Sequence, residues 1–260
     1  MKNLKSIFIT GAAGGMGRST AKLFLEKNWF VGCYDNNKEN LLKLESQLGN
    51  ENIIYDVLDV TNKENFQDCI DNFSLRSGEK LDILFNNAGI TEGGFFEDIP
   101  YQKHMEIINI NIIGVINGIY SAVNLLKKTP NSLCITTSSS SGIMGMEMIA
   151  SYSASKHAVK GLTESLSSEF QRFNSRAADI LPGVIDTPMI RDEIRKNLPK
   201  DGIWRLISSE EIAKTVWNAY QSDKIHWYVP KELEGLEKEV SENPQKAREL
   251  LKTSGPLSND

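Results

Sequence analysis

Short apolar runs alternate along this chain with longer segments in which apolar residues recur every three or four positions. Seven runs have the length of strands, at 4–10, 29–35, 52–60, 81–89, 132–138, 176–181 and 224–229. The longer segments predict helices at 15–28, 38–48, 101–128, 151–173 and 208–221. Such alternation is typical of a parallel sheet with helices on both faces. Because crossover connections are right-handed, we predict a doubly wound α/β fold of about seven strands.

No internal repeat and no linker rich in Pro, Gly or Ser divides the 260 residues. We therefore predict one catalytic domain over residues 1–230. The residues that follow, 231–260, are charged and helix-prone and are predicted to form a C-terminal tail.

Composition narrows the classes of protein that this chain can be. Its residues are 40% hydrophobic and 24% charged, which is typical of a soluble globular protein. A net charge of -5 gives no basic footprint for nucleic acid. The three cysteines form no CxxC pair, so we expect neither a zinc site nor a disulfide framework, and a cytoplasmic location. The three histidines have no metal-like spacing, and the apolar run after Lys5 is too short for a signal peptide.

The segment 107–126 has no charged side chain and is about as long as a bilayer is thick. It contains four asparagines, whose amides are costly to bury without partners. We therefore predict a buried helix of a soluble core and no membrane partner.

The sequence TGAAGGMG at 10–17 lies between the first predicted strand and the first predicted helix. Free N–H groups and the helix dipole form an anion site there, and glycine lets the backbone approach a pyrophosphate. The spacing of Gly11, Gly15 and Gly17 differs from GxGxxG, so its position after a strand carries the argument. This position favours a dinucleotide site over a simple tight turn, and with it a Rossmann-type sheet.

Asp35 ends the second predicted strand, 18 residues after Gly17. A carboxylate there can accept hydrogen bonds from a ribose and repels a 2′-phosphate. Asn36 and Asn37 supply no compensating cation, so NAD is favoured over NADP. The alternative is that Asp35 merely caps the next helix.

A run of serines and threonines at 136–141 precedes Tyr152 and Lys156, which would share one face of a helix. A nearby ammonium favours the phenolate form, and a cationic nicotinamide would add to this effect. A surface Tyr–Lys pair is common, however, so YxxxK alone carries little information.

The motifs carry more information together than they do separately. TGxxxGxG at 10–17, NNAG at 86–89, Asn111, Ser139, YSASK at 152–156 and PGVIDTPM at 182–189 occur in this order. The set resembles the short-chain dehydrogenase/reductase family, over about residues 4–230. The resemblance implies a general acid/base at Tyr152, with Lys156 lowering its pKa and holding the nicotinamide ribose. It also implies that Ser139 binds the substrate oxygen, although Ser138 and Ser140 remain open, and that Asn111 holds a water in a proton relay.

The resemblance also assigns the cofactor-binding residues. They are Gly11, Gly15, Met16 and Gly17 in the phosphate turn, Asp35 at the ribose, Asp59 and Val60 beside adenine, Asn87, Ala88 and Gly89 along the cofactor, and Pro182, Gly183, Val184 and Thr187 near the carboxamide, together with Tyr152 and Lys156. No metal is expected.

The predicted function is NAD-dependent hydride transfer to or from a small, neutral and largely hydrophobic secondary alcohol or ketone. Three loops, at 93–96, 142–149 and 189–206, are expected to border the substrate. Their apolar side chains are Phe95, Phe96, Ile143, Met144, Met146, Met189 and Trp204, of which about half could instead pack against one another. Arg191 and Arg195 leave a charged substrate as an alternative, since either side chain could bind a carboxylate. One alternative is a catalytically silent dinucleotide-binding or sensor protein on the same fold. Another is a sugar-nucleotide epimerase, which is less favoured because such enzymes normally need a longer C-terminal substrate domain.

The chain end departs from the family pattern, because no glycine-rich segment follows the last predicted strand. In the family this region contributes to subunit contacts, so a homotetramer is in doubt. A homodimer through the uncharged helix and the helix of Tyr152 is the other expectation.

Overall fold

The computed structural model describes residues 4–49, 51–190, 192–245 and 249. Its strands are β1 (Ser6–Thr10), β2 (Phe30–Asp35), β3 (Ile53–Val57), β4 (Ile83–Asn86), β5 (Leu133–Thr137), β6 (Arg176–Pro182), β7 (Val184–Ile185), β8 (Leu206–Ile207) and β9 (His226–Val229). Its helices are α1 (Gly15–Glu26), α2 (Lys38–Leu48), α3 (Lys63–Ser77), α4 (Tyr101–Ile108), α5 (Gly114–Lys128), α6 (Ala150–Glu169), α7 (Asp192–Asn197), α8 (Ser209–Tyr220) and α9 (Leu233–Glu242).

Seven parallel strands form one sheet in the order β3-β2-β1-β4-β5-β6-β9, as the alternating pattern predicted. The chain winds outward from β1 through β2 to β3, then returns to β4 on the other side of β1. This reversal creates a switch point at the carboxyl ends of β1 and β4, which is where ligands bind in doubly wound sheets. The predicted fold class is confirmed.

Every residue of β1 and β5 is buried, because helices cover both faces of the sheet. Successive side chains of β1 enter different cores. Ile7 and Ile9 pack in the core that includes Phe24 of α1 and Val216 of α8. Phe8 packs in the opposite core and stacks on Tyr34 with ring centroids 3.9 Å apart. The short unbroken apolar runs thus become central strands buried from both sides.

The predicted helix at 101–128 is interrupted by a π-helical segment, Asn109–Ile113, which lies between α4 and α5. By length and composition, Tyr101–Lys128 is also the one helix of the described residues that could span a membrane, with 44% of its apolar window buried. It packs against α3 and α6 of the same chain. The Asn117 amide donates to the Val60 carbonyl at 2.9 Å. The helix's two buried amides, of Asn111 and Asn117, are both hydrogen-bonded, as expected for a helix that packs on the core of its own chain.

Helices α3 and α7 and strands β7 and β8 lie outside the predicted elements, whereas α9 lies in the tail that was predicted to be helix-prone. Helix α3 occupies part of 61–80, to which the apolar pattern gave no element. Strands β7 and β8 form a separate two-stranded sheet. Helix α9 lies within the predicted tail 231–260, and its Leu233 and Leu236 are buried in a core cluster with Met144, Met146 and Trp204. Residues 246–248 and 250–260 of that tail lie outside the described residues.

Candidate active site

The glycine turn follows β1 and begins α1. Gly11 has φ +63, and a Cβ there would lie 2.9 Å from the Ala88 Cα. A Cβ on Gly17 would lie 2.3 Å from the Gly11 carbonyl oxygen, so a side chain at either position would force the backbone to move. Gly14 caps α1 without a side-chain hydrogen bond. The first N–H groups of α1 are therefore available to an anion, as the turn predicted.

Asp35 closes the far side of this turn. One carboxylate oxygen accepts from the Ala13 N–H at 3.1 Å, and the other accepts from the Asn37 N–H at 3.0 Å. Helix α2 is capped by Asn37, whose side chain accepts from the Asn40 N–H. The alternative in which Asp35 caps that helix is therefore wrong. Two backbone contacts instead fix the carboxylate beside the glycine turn, with lone pairs left for a ribose hydroxyl.

A cavity of about 480 Å³ extends from this carboxylate along the carboxyl end of the sheet. Ten of the predicted cofactor residues line it, namely Gly11, Gly15, Met16, Asp35, Asp59, Val60, Asn87, Ala88, Gly89 and Thr187. Gly17 is buried behind the turn and does not line it. A second cavity, of about 240 Å³, continues from the first and shares Met16, Asn87, Gly89 and Thr187 with it. The remaining predicted residues, Tyr152, Lys156, Pro182, Gly183 and Val184, line the second cavity.

These two connected cavities fit an elongated dinucleotide. The glycine turn, where a Cβ would meet the backbone, leaves room that would suit a pyrophosphate, and the carboxylate at the end of β2 would accept hydrogen bonds from a ribose. The Tyr152–Lys156 end of the second cavity is then left for the nicotinamide and the substrate.

Lys156 is buried one turn after Tyr152 on α6, and its side-chain ammonium donates to the Thr137 carbonyl at 2.8 Å. Its Nζ lies 5.4 Å from the centroid of the Tyr152 ring. Burial lowers the pKa of Lys156 to about 8. The buried lysine is thus a cation at neutral pH whose proton is held less tightly than that of a surface lysine.

The phenol of Tyr152 is subject to two opposing effects. Burial raises its pKa, while a hydrogen bond with the Ser139 side chain lowers it. The net direction is upward, so these groups keep the phenol protonated at neutral pH. The sequence predicted that Lys156 lowers the pKa of Tyr152, but Lys156 is not among the groups that shift this pKa here.

The serines of the run at 136–141 make different contacts in the structure. The Ser138 hydroxyl donates to the Lys156 carbonyl at 2.9 Å and is fully buried. The Ser139 hydroxyl accepts from the Ser141 N–H at 3.1 Å, bonds Tyr152 and lines the second cavity. Ser140 also lines this cavity. The contact with Tyr152 therefore distinguishes Ser139 from the neighbours that the sequence left open.

Asn111 lies in the π-helical segment and joins two parts of the site. Its amide donates to the Ile90 carbonyl at 2.9 Å and to the Ser155 hydroxyl at 3.0 Å. Its side-chain oxygen accepts from the Ile90 N–H at 2.9 Å. The side chain thus holds the segment after β4 against α6. A π-helical segment at a functional position is a recurring feature of helices.

The wall of the second cavity is apolar, and Lys156 is the one charged side chain among its described lining residues. Met146, Met189 and Trp204 line it as predicted. Four other predicted residues do not line it: Phe95 and Phe96 are exposed, and Ile143 and Met144 are buried in a core cluster, as the packing alternative predicted. The predicted loops contribute five further lining residues, Gly93, Met148, Ile149, Ile190 and Ile194, whereas Thr91 lies outside these loops.

Arg195 was one of two reservations about an apolar substrate. It pairs with Asp186 and donates to the Thr187 carbonyl at 3.2 Å, so its charge is already compensated. Arg191 lies outside the described residues. Among the described residues, no group of three or more His, Cys, Asp or Glu side chains is arranged to hold a metal ion.

A doubly wound sheet with a glycine turn at its switch point is the architecture of dinucleotide-binding proteins. Comparison with known proteins agrees with this class and narrows it. Residues 5–198 match the model of the short chain dehydrogenase family. The chain is 31% identical over 218 residues to the 3-oxoacyl-[acyl-carrier-protein] reductase FabG of Thermotoga maritima, which covers 82% of this chain and 88% of that protein.

Two further matches are similar in extent. The cyclopentanol dehydrogenase of a Comamonas species is 31% identical over 191 residues, covering 72% of this chain and 75% of that enzyme. A solved short-chain dehydrogenase/reductase from Burkholderia phymatum in complex with NAD shares the fold, with a TM-score of 0.82 and 21% identity over 94% of this chain and 95% of its own. The chain belongs to the short-chain dehydrogenase family, and with it to the oxidoreductases that use a nicotinamide dinucleotide.

Proposed function

We propose that this protein is an NAD(H)-dependent oxidoreductase that interconverts a neutral, largely apolar secondary alcohol and its ketone. The observation that carries the proposal is that Ser139, Tyr152 and Lys156 line one largely apolar cavity, in which the Ser139 side chain lowers the pKa of the Tyr152 phenol. A substrate oxygen placed between these two hydroxyls meets a proton donor and a second polar group that stabilises developing charge.

NAD rather than NADP is the proposed cofactor. The Asp35 carboxylate faces the cavity beside the glycine turn and is held there by the Ala13 and Asn37 N–H groups. It would accept hydrogen bonds from ribose hydroxyls and would repel a phosphate at the 2′ position. The relative from Burkholderia phymatum was solved with NAD, which agrees with this choice.

In the proposed mechanism the dinucleotide supplies or accepts the hydride when it is bound. Tyr152 gives a proton to the ketone oxygen during reduction and takes it from the alcohol during oxidation. Ser139 orients that oxygen through its hydroxyl. Lys156 keeps an ammonium next to Tyr152, and this charge favours the phenolate form when the proton has left. Asn111 maintains the segment around Ile90 against the helix that carries both residues.

The proposed substrate is neutral because the cavity wall is largely apolar and two exposed acidic residues neighbour wall residues in the sequence. Glu92 is exposed between Thr91 and Gly93, and both of these neighbours line the cavity. Glu147 is exposed between Met146 and Met148, which also line it. These carboxylates would repel an anionic ligand, while the methionines can adapt to irregular apolar shapes. A cyclopentanol-like alcohol therefore suits this cavity better than a substrate on an acidic carrier.

The test is an NADH absorbance assay with a panel of cyclic and acyclic secondary alcohols and ketones, run in both directions. We expect turnover of several neutral members, with NADH strongly preferred to NADPH. Tight NADH binding without turnover of any member would support a silent dinucleotide-binding protein instead.

We also propose a homodimer. The helix from Tyr101 to Lys128 exposes a row of large apolar side chains to solvent, namely Tyr101, Met105, Ile113, Ile116 and Tyr120. Apolar patches of this kind mark interaction sites. A second copy of the chain with the same row would cover it.

A further inference from the structure

Two loops form facing parts of the cavity wall. The 91–99 loop contributes Thr91 and Gly93, and the 143–149 loop contributes Met146, Met148 and Ile149. The loops are joined by a backbone hydrogen bond from the Gly94 N–H to the Met148 carbonyl at 2.9 Å. Met148 has φ +64, a left-handed conformation that a residue with a large side chain rarely adopts. The hydrogen bond to Gly94 thus accompanies a backbone conformation that is unfavourable for Met148 by itself.

His104 of α4 makes a second connection to the 91–99 loop. The side chain is buried, with Nε2 3.1 Å from the Phe96 carbonyl oxygen and Nδ1 2.7 Å from the Ser151 hydroxyl. Its ring also packs on the Phe96 ring, with centroids 4.5 Å apart. A carbonyl can only accept, so Nε2 carries the hydrogen, and in the neutral ring Nδ1 accepts from Ser151. Both polar atoms of the imidazole are therefore occupied.

The second partner, Ser151, directly precedes Tyr152 in the first turn of α6. His104 consequently joins the 91–99 loop to the start of the helix that carries the tyrosine. His104 itself lines neither cavity. Its partners, Phe96 and Ser151, are not among the residues that line the cavity beside the glycine turn and Asp35.

We propose that His104 is a positioning residue that sets the gap between the 91–99 loop and the Tyr152 hydroxyl. The proposal rests on the proposed function only in taking Tyr152 as the group that moves the proton. Without the imidazole the loop keeps its Gly94–Met148 connection but loses its connection to α6. A substrate would then be held less accurately against Tyr152, while the dinucleotide would keep all of its contacts.

The experiment compares His104→Phe, His104→Gln, Ser151→Ala and the double variant His104→Phe/Ser151→Ala. The control is His157→Phe, because His157 is an exposed histidine of the same helix α6 that bonds the Ser153 carbonyl of its own turn. We expect His104→Phe to lower kcat/KM by about tenfold or more, since small misplacements at a reacting centre are costly. The dissociation constant for NADH should change by less than about twofold, because that constant reports dinucleotide contacts alone.

The remaining variants separate positioning from loss of packing. Gln at 104 can donate to one partner and accept from the other, so it should recover part of the lost kcat/KM. Ser151→Ala should lower kcat/KM by itself and add nothing to His104→Phe, because both changes break one connection. Parent-like kcat/KM in folded His104→Phe overturns the proposal. If that variant does not fold, parent-like kcat/KM in Ser151→Ala overturns it.

Amide hydrogen exchange keeps the test independent of turnover. Peptides from the 91–99 loop should exchange faster in Ser151→Ala and His104→Phe than in the parent and in His157→Phe. If the parent turns over none of the panel, the proposed function fails and this comparison alone decides the role of His104. Exchange equal to that of the parent would then end the proposal.

Discussion

The buried ammonium of Lys156 donates to the main-chain carbonyl of Thr137, at 2.8 Å across the gap between α6 and the end of β5. The bond ties the helix that carries Tyr152 to the strand that leads into Ser139. It also places a cation where burial disfavours charge and lowers the pKa of Lys156 to about 8. The contact has a consequence for stability that can be measured without any substrate.

Lys156 should make stability depend on alkaline pH. Its pKa is 10.5 in the reference state and about 8 in the folded protein, so between these values the unfolded chain binds more protons. The contribution of this group to the free energy of unfolding therefore increases from pH 8 to 10.5, by about 3 kcal/mol in total. Urea unfolding of the parent and of Lys156→Met at pH 8, 9 and 10 checks this. At each higher pH the free energy of unfolding of the parent should increase relative to that of the variant. A difference between the two that does not change with pH would contradict the prediction.

Tyr152→Phe should reduce kcat by about 10²–10⁴-fold, the usual contribution of a positioned acid/base. The dissociation constant of NADH should stay within severalfold, because the dinucleotide cavity is lined mainly by other residues. Stopped-flow turnover and fluorescence titration measure the two quantities. Tyr101→Phe is the matched control, since Tyr101 is an exposed tyrosine on α4. A folded Tyr152→Phe protein with near-normal turnover would remove the residue from its proposed role.

Cofactor preference should depend on the charge at Asp35. In the parent we expect NADH to bind at least about tenfold more tightly than NADPH, because a carboxylate faces the added phosphate. Asp35→Asn keeps the shape of the side chain and removes its charge, so it should reduce the difference in affinity between NADH and NADPH. Asp35→Ala with Asn36→Arg should narrow it further by adding a cation. Fluorescence titration of both cofactors decides, and equal affinities in the unmodified protein would refute the assignment of NAD.

Selectivity against anions should depend on Glu92 and Glu147, the exposed acidic residues that neighbour wall residues in the sequence. Across a homologous series of neutral ketones, kcat/KM should rise with the size of the apolar part of the substrate. The reason is that burial of apolar surface contributes roughly 25 cal/mol of free energy per Å². Carboxylated analogues should be poor substrates, and Glu92→Lys with Glu147→Lys should improve them by about three- to tenfold through reversed charge. Arg195→Ala should leave the ratio unchanged, because Arg195 is paired with Asp186. Better turnover of carboxylates by the parent, lost in Arg191→Ala or Arg195→Ala, would exclude an apolar substrate.

The exposed apolar row on α4 and α5 should determine the oligomeric state. Ile116→Asp places a charge in the middle of the row and should convert a dimer to a monomer in light scattering after size exclusion. Leu75→Asp makes the same change at an exposed leucine of α3, outside the row, and should leave the mass unchanged. A monomeric parent, or a dimer that survives Ile116→Asp, would rule out this surface.

Much of the fold was predictable because central strands of a parallel sheet are buried on both faces and therefore appear as unbroken apolar runs. The glycine turn was predictable for a related reason. Gly11 and Gly17 stand where a Cβ would meet the backbone, so the sequence records a geometric requirement directly.

The wall of the substrate cavity could not be predicted in the same way. Phe96 and Met148 both lie in loop segments and are both exposed, yet only Met148 lines the cavity. The positions of these loops depend on the Gly94–Met148 and His104–Ser151 hydrogen bonds, which join residues distant in sequence. The π-helical segment at Asn111 is hidden for a different reason, because the apolar pattern continues through it without a break.

Helix α9 packs against the wall of the proposed substrate cavity. Leu233 and Leu236 pack with Met146 and Trp204, two residues of the cavity wall. Trp204 and α9 both lie beyond residue 198, where the match to the family model ends. The proposed proton-transfer residues thus lie within the family match, while Trp204 of the cavity wall and the helix that packs on it lie beyond it. Substitutions in α9 would change the shape of the cavity wall without replacing any proposed proton-transfer residue.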